Sequence, residues 1–268
     1  MFKTRLISGI VLVAIAIALI WAGGDVLLIG ILAISLIGMM ELNRVFQMEK
    51  SPLAIAAYLA AICYFADLRL KLLPESMLLL ILFMIVLMFI YVFAYPTYRA
   101  KQVMAAFFGL FYVAIMLSFV YRIRELEHGF YLTFLIFLCS WGCDTCAYCV
   151  GVLFGRHKMS PKLSPKKSIE GAVGGVAGAA LLTALYAFIF RSGLGLTSGV
   201  QIAALAAIAA VGGLISMVGD LTASAIKRNY DIKDYGTLIP GHGGILDRFD
   251  SMIITAPIIY YLAIMLFA

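Results

Sequence analysis

Charge is scarce in this chain: 13% of its 268 residues are Asp, Glu, Lys or Arg, whereas 64% are hydrophobic. Soluble domains run at about a quarter charged and about half apolar, so the shortage excludes an ordinary soluble fold. Long polar stretches are missing too, which leaves a single membrane domain over 1–268. Histidine is limited to His128, His157 and His242, few enough to suit a reaction that asks little of a general base. No internal repeat is visible, whereas cation-coupled transporters show repeats with sites near the bilayer midplane. The glycines of "EGAVGGVAGAA" lack a following Gly-Lys-Ser/Thr and a preceding strand, so phosphate-loop and dinucleotide readings fall away.

What is present is a series of apolar runs. A span needs about 20 mostly apolar residues, and nine segments qualify or nearly so: roughly 5–22, 25–41, 52–66, 76–95, 103–121, 130–154, 170–190, 199–222 and 251–267. The expectation is an all-α, polytopic integral membrane protein. Lys3 and Arg5 precede the first run, but "WAGGD" leads straight into a second span, so the first is read as a retained helix. Placing the N-terminus inside puts 15 of the 20 basic residues on the cytoplasmic side and leaves Arg69, Lys71, Arg122, Arg124 and Arg191 outside. The positive-inside bias therefore favours a cytoplasmic N-terminus and an outer C-terminus. The two most basic loops, 155–169 and 223–250, then share the cytoplasmic face.

Motifs concentrate in 130–268, while the spans in 1–129 carry none. "CSWGCDTCAYCVG" holds Cys139, Cys143, Cys146 and Cys149. On a continuous helix these fall on one stripe roughly 120° wide, which suits packing better than an iron–sulfur or zinc site. Asp144, about 15 Å of helix rise inside the run, points away from that stripe and shares its face with Ser140, Tyr148, Gly151 and Gly155. An ionisable group at such depth is costly and marks function. Gly171/Gly175 and Gly174/Gly178 are small-xxx-small pairs for close helix packing. "SPKLSPKKSIEG" cannot be helical around Pro161 and Pro165. It offers Ser164, Lys167 and Ser168 at the N-terminus of the next helix, where an anion is favoured.

Near the end of the eighth span, Ser216, Asp220, Ser224 and Lys227 line one helix face, followed by Arg228. "LIPGHGGILDRFD" bends at Pro240 and Gly241, and Gly243–Gly244 lets backbone approach a ligand closely. A last helix beginning close to Ile245 carries Asp247 and Asp250 in its first turns. Helix capping alone explains them, but not a second acid, Asp220, at the same depth. Asp144, Asp220 and Asp247 in one low-dielectric cleft would repel unless a cation joined them. Oxygen-only ligation suits Mg²⁺. Carboxylates, a divalent ion and surrounding Lys and Arg are the parts of phosphoryl or nucleotidyl transfer.

The segment "SAIKRNYDIKDYGTLIPGHGGILDRFD", Ser224 to Asp250, resembles the signature of the CDP-diacylglycerol synthase (phosphatidate cytidylyltransferase) family and meets its fixed positions. "DTCAY" at 144–148 and "SPKKSIEG" at 164–171 resemble two further blocks. The resemblance implies that CTP and phosphatidate give CDP-diacylglycerol and pyrophosphate with Mg²⁺, leaving room for a second cation. It implies Asp220 and Asp247 as metal ligands, Asp144 as a further ligand or acidic wall, and Lys227 within the catalytic set. Lys167, Lys227, Arg228 and Arg248 would hold phosphates, joined by the hydroxyls of Ser164, Ser168 and Ser224. His242, Gly243 and Gly244 would shape the nucleotide end. The expected setting is the cell inner (plasma) membrane, with a cytoplasmic site, membrane lipid as partner, no nucleic acid, and room for a homodimer. The rivals are a CTP-dependent lipid kinase, a phospho-sugar transferase acting on polyprenyl phosphate and, in a different class, a cation-coupled transporter.

Overall fold

The computed structural model describes residues 2–267. The side chains of Lys3 and Arg5, used above for orientation, lie outside the described set. The chain is nearly all helical: α1 (Phe2–Ala22), α2 (Gly24–Val45), α3 (Pro52–Leu70), α4 (Met77–Phe93), α5 (Ala100–Arg124) and α6 (Gly129–Phe154). A small antiparallel hairpin, β1 (Lys158–Ser160) and β2 (Ser164–Ser168), follows, then α7 (Ile169–Ile189), α8 (Gly199–Asn229) and α9 (Leu246–Phe267). Seven of these are long and apolar enough to cross a membrane, as befits a multi-pass membrane protein. The other two expected spans fall on α1 and α4, where the apolar stretches Leu6–Ala22 and Met77–Phe93 are shorter.

Helix ends explain where the expected limits shift. The third span was expected to end at 66, yet α3 runs to Leu70 because the Asp67 carboxylate is satisfied where it stands. It accepts Leu73 N–H at 2.8 Å and the Ser76 hydroxyl at 2.9 Å. Likewise α2 continues through Glu41 to Val45. Proline and serine keep 158–168 out of helix as expected, and the segment pairs with itself, Lys158 opposite Ser168 and Ser160 opposite Ser164. Ser168 then caps α7 by accepting the Gly171 N–H.

Two interleaved units organise the chain: residues 1–118 with 234–248, and residues 119–233 with 249–268. In the first, Leu42, Leu53, Ala57, Phe65 and Leu110 from α2, α3 and α5 are buried core. In the second, small residues set the spacing of α6, α7 and α8. A Cβ on Gly174 would meet Val150 at 2.5 Å, and one on Gly178 would meet Cys146 at 2.5 Å. Gly212 stands against Cys139, and Cys143 lies between Gly175 and Gly213. Glycine here is a spacing device: the neighbouring side chain occupies the volume its own would fill.

Cys139, Cys143 and Cys146 of the stripe therefore pack between helices, Cys149 is exposed, and all five cysteines are free thiols. One part of the wheel needs correction. A π-helical turn at Leu138–Gly142 interrupts α6, adding a residue to the turn and rotating what precedes it. Ser140 is consequently buried and donates to the Ile136 carbonyl at 2.7 Å, while Asp144, Tyr148 and Gly151 face together.

Candidate active site

Within the second unit, α6, the hairpin, the start of α7 and the middle of α8 enclose a cavity of about 500 Å³. Its polar lining is Asp144, Lys158, Lys166, Lys167, Ser168 and Asp220, and its apolar lining includes Tyr148, Val152, Met159 and Met217. The hairpin delivers the lysines. Because strand residues alternate sides, the consecutive Lys166 and Lys167 differ in burial, the first exposed and the second partly enclosed. Lys167 Nζ forms an ion pair with Asp220 Oδ2, both side chains about a quarter exposed. At that depth the pair is screened less than a surface pair, so separating it without another counter-charge is costly.

Close approach of α8 to α9 adds a third carboxylate. A Cβ on Gly219 would meet the Asp250 carbonyl at 2.8 Å and Ser251 Cα at 3.2 Å, so only glycine allows this spacing. Asp250 is 7% exposed and lies within electrostatic range of Asp220, Lys227 and Asp144. Further along α8, the expected continuation of the helix past the apolar run is present, to Asn229. Ser216 is buried, Ser224 and Lys227 are half-buried, and Arg228 is exposed with a long contact from its guanidinium to the Ile232 carbonyl at 3.5 Å.

The signature loop belongs to the first unit. Asp247 is 6% exposed, and its Oδ2 accepts the backbone N–H of Tyr235 at 2.8 Å and of Gly244 at 2.9 Å. Ile239 and Gly243 bridge across the loop, and Gly243 adopts a left-handed φ of 85°, which favours glycine. His242 Nδ1 lies 2.8 Å from Ser8 Oγ, which also donates to the Pro240 carbonyl at 3.0 Å. Arg248 sits half-buried in the first turn of α9.

Of the residues singled out in the sequence, Asp144, Lys167, Ser168 and Asp220 thus share one cavity wall, while Ser164 lies in β2 beside it in sequence. His242, Gly243, Gly244, Asp247 and Arg248 share the loop of the first unit. Among the described residues, no three or more His, Cys, Asp or Glu side chains are drawn together as a ready-made metal cage. Sequence reasoning noted Asp250 in the first turns of the last helix and Lys158 and Lys166 in the basic loop without giving them site roles, and it passed over Glu41. Asp250 is also the closing residue of the signature. Glu41 had one signal, an acid closing an apolar run on a helix that continues past it.

A lysine-bearing hairpin and two carboxylates, Asp144 and Asp220, thus line one cavity in a unit of apolar helices. The cytidylyltransferase family matches residues 3–266, and the chain belongs to it. Similar curated proteins include the phosphatidate cytidylyltransferase of Bacillus subtilis, 31% identical over 153 residues that make up 56% of this chain and 54% of that protein. The phosphatidate cytidylyltransferase of Thermotoga maritima is 32% identical over 165 residues, 62% of this chain and 60% of it. That of Synechocystis is 36% identical over 141 residues, 52% of this chain and 45% of it. The matched segments thus span about half the length of these relatives.

Proposed function

We propose that the chain is a phosphatidate cytidylyltransferase, transferring the cytidylyl group of CTP to phosphatidate at the cytoplasmic face of the cell inner membrane, through a nine-span fold with its C-terminus outside. A phosphate oxygen of phosphatidate attacks the α-phosphorus of CTP. The new O–P bond forms as the bond to the bridging oxygen of the β-phosphate breaks, and pyrophosphate leaves with that electron pair. The nucleophile is already anionic, so little general-base help is needed. The observation that carries this reading is the mixed lining of the cavity, with Lys158, Lys166 and Lys167 beside Tyr148, Val152, Met159 and Met217. Cations next to apolar side chains suit an anionic headgroup that stays attached to its lipid.

The residues have separable tasks. Lys167 exchanges Asp220 for a substrate phosphate oxygen as the anion enters, and the Asp220 carboxylate it leaves would need a cation in its place. Lys158 and Lys166 gather the anion, and Lys227 and Arg228 extend the basic surface along α8. His242, Gly243, Gly244 and Arg248 are assigned to the nucleotide. The donor set fits a hard cation: Asp144 and Asp220 offer only oxygen, with Asp250 in range of both and their summed negative charge in need of neutralising. Asp144 and Asp220 would hold Mg²⁺, and it is the resemblance to the family signature that adds Asp247 to the ligands. When bound, the ion would neutralise phosphate charge and help align the reacting groups. The test is purified protein in detergent with labelled CTP and phosphatidate. Cytidine label in the lipid extract with release of pyrophosphate is the expected result. Label only from the γ-phosphate would indicate a lipid kinase, and no lipid product at all would sink the reading.

A further inference from the structure

The spans of the first unit contain no signature motif, yet one of them holds the signature loop. Glu41 lies in α2, at the end of an apolar run, and is 5% exposed. Its Oε1 accepts the Ile245 N–H at 3.0 Å and its Oε2 accepts the Leu246 N–H at 2.8 Å. These amides open α9, where backbone N–H groups have no intrahelical acceptor. A carboxylate placed there satisfies two of them and is favoured by the helix dipole. The loop is shaped around it: a Cβ on either Gly236 or Gly244 would run into the Glu41 carboxylate well inside contact distance. Asp247 ties the same loop from within through Tyr235 and Gly244. Arg44, one turn further along α2, is engaged with Glu49 at 2.6 Å, so the partners that satisfy Glu41 are backbone amides of the loop.

We infer that Glu41 is a positioning residue for the reaction: as a two-oxygen cap from α2, it fixes the first turn of α9 and with it the directions of Asp247 and Arg248. This rests on the proposed role of the signature loop in cytidylyl transfer. A glutamine at this position keeps the size and one acceptor but turns an NH₂ towards a backbone N–H, so one bond is lost and two donors face each other.

Glu41→Gln in the full chain should lower kcat/KM for CTP by about 30-fold, the scale of a lost charged hydrogen bond with a mismatched donor. Glu41→Ala should lower it further. The readout that plain folding damage would not produce is local: hydrogen exchange of a peptide covering 244–249 should speed up in Glu41→Gln, while peptides from α7 stay as in the parent and the Tm falls by no more than several degrees. Unchanged kcat/KM and unchanged exchange in Glu41→Gln would overturn the inference. So would a loss of activity accompanied by a general rise in exchange across the chain, which would make Glu41 an ordinary fold residue. The exchange measurement reads the cap directly. A parent protein without cytidylyl transfer would therefore defeat the functional reading, and the cap would still stand or fall on the 244–249 amides.

Discussion

Asp220 within α8 and Asp247 in the first turn of α9 are both acids on apolar helices, but the molecule balances them differently. Asp220 is countered by a side chain, the Lys167 ammonium, on the wall of a cavity. Asp247 is countered by backbone, the N–H groups of Tyr235 and Gly244, inside a closed loop. A flexible lysine can release its partner when another anion or cation arrives. Backbone amides locked in a turn cannot do so without unfolding it. The first arrangement is suited to exchange during a reaction cycle and the second to holding shape, and substitution separates the two.

The largest effects are expected where the charge itself is needed. Asp220→Asn should bring turnover to background while the protein still inserts and purifies normally, since a neutral amide cannot oppose Lys167 or serve as a charged ligand. Asp247→Asn is the sharper test, because asparagine keeps an acceptor for Tyr235 and Gly244 and so preserves the loop. Loss of turnover in Asp247→Asn with normal exchange at 234–248 would show that its charge is used as well as its geometry. Near-normal rates at limiting Mg²⁺ would remove Asp247 from the ligand set and leave it a fastener.

Next come the cations. Lys167→Ala removes both the partner of Asp220 and a phosphate contact in a water-poor cavity, so kcat/KM for CTP should fall by about 10²-fold, or roughly 3 kcal/mol. Lys227→Ala and Arg228→Ala should fall similarly if the basic surface of α8 meets phosphate. Arg228 is exposed, and a small effect there alone would confine the phosphate contacts to the hairpin and Lys227.

Much of this organisation was legible beforehand, and the illegible part has physical causes. Apolar runs of the right length located the helices, because the bilayer demands intrahelical hydrogen bonding over the whole span. The acids Asp144 and Asp220 stood out because charge is so costly within apolar runs. The hairpin at 158–168 was readable only as non-helical. Proline excludes a helix, but pairing depends on what the strand meets. The π turn in α6 left no mark in composition, and it turned Ser140 away from the face of Asp144. Glu41 was passed over because its partners lie about 200 residues away and are backbone atoms, which no side-chain pattern reveals.

Smaller effects should follow from the cysteines. Cys139 and Cys143 are fully buried against glycines of α7 and α8, whereas Cys149 is exposed. Replacing all four of Cys139, Cys143, Cys146 and Cys149 with Ala should leave kcat within about threefold and lower the Tm by a few degrees, since small gaps replace sulfur contacts. By contrast, Gly178→Leu should cost folded yield outright, because its side chain would enter the volume of Cys146. Stoichiometric zinc or iron in the parent, lost together with activity in the four-alanine variant, would overturn the packing assignment.

The smallest effect is expected at basic residues outside both regions. Lys50 follows α2 and Lys101 begins α5; both are exposed and neither lies on the cavity wall. A charge in contact with bulk water contributes little to binding a distant anion, because water and salt screen it within about 10 Å. Lys50→Ala and Lys101→Ala should therefore change kcat/KM for CTP by less than about threefold, with any loss shrinking further as ionic strength rises. Lys167→Ala should keep its deficit across the same salt series, because a contact inside a cavity is screened far less. If the three variants lose activity equally and recover equally in salt, the basic residues act as one diffuse positive face. The distinction between an exchangeable lysine in the cavity and ordinary topogenic charge would then be lost.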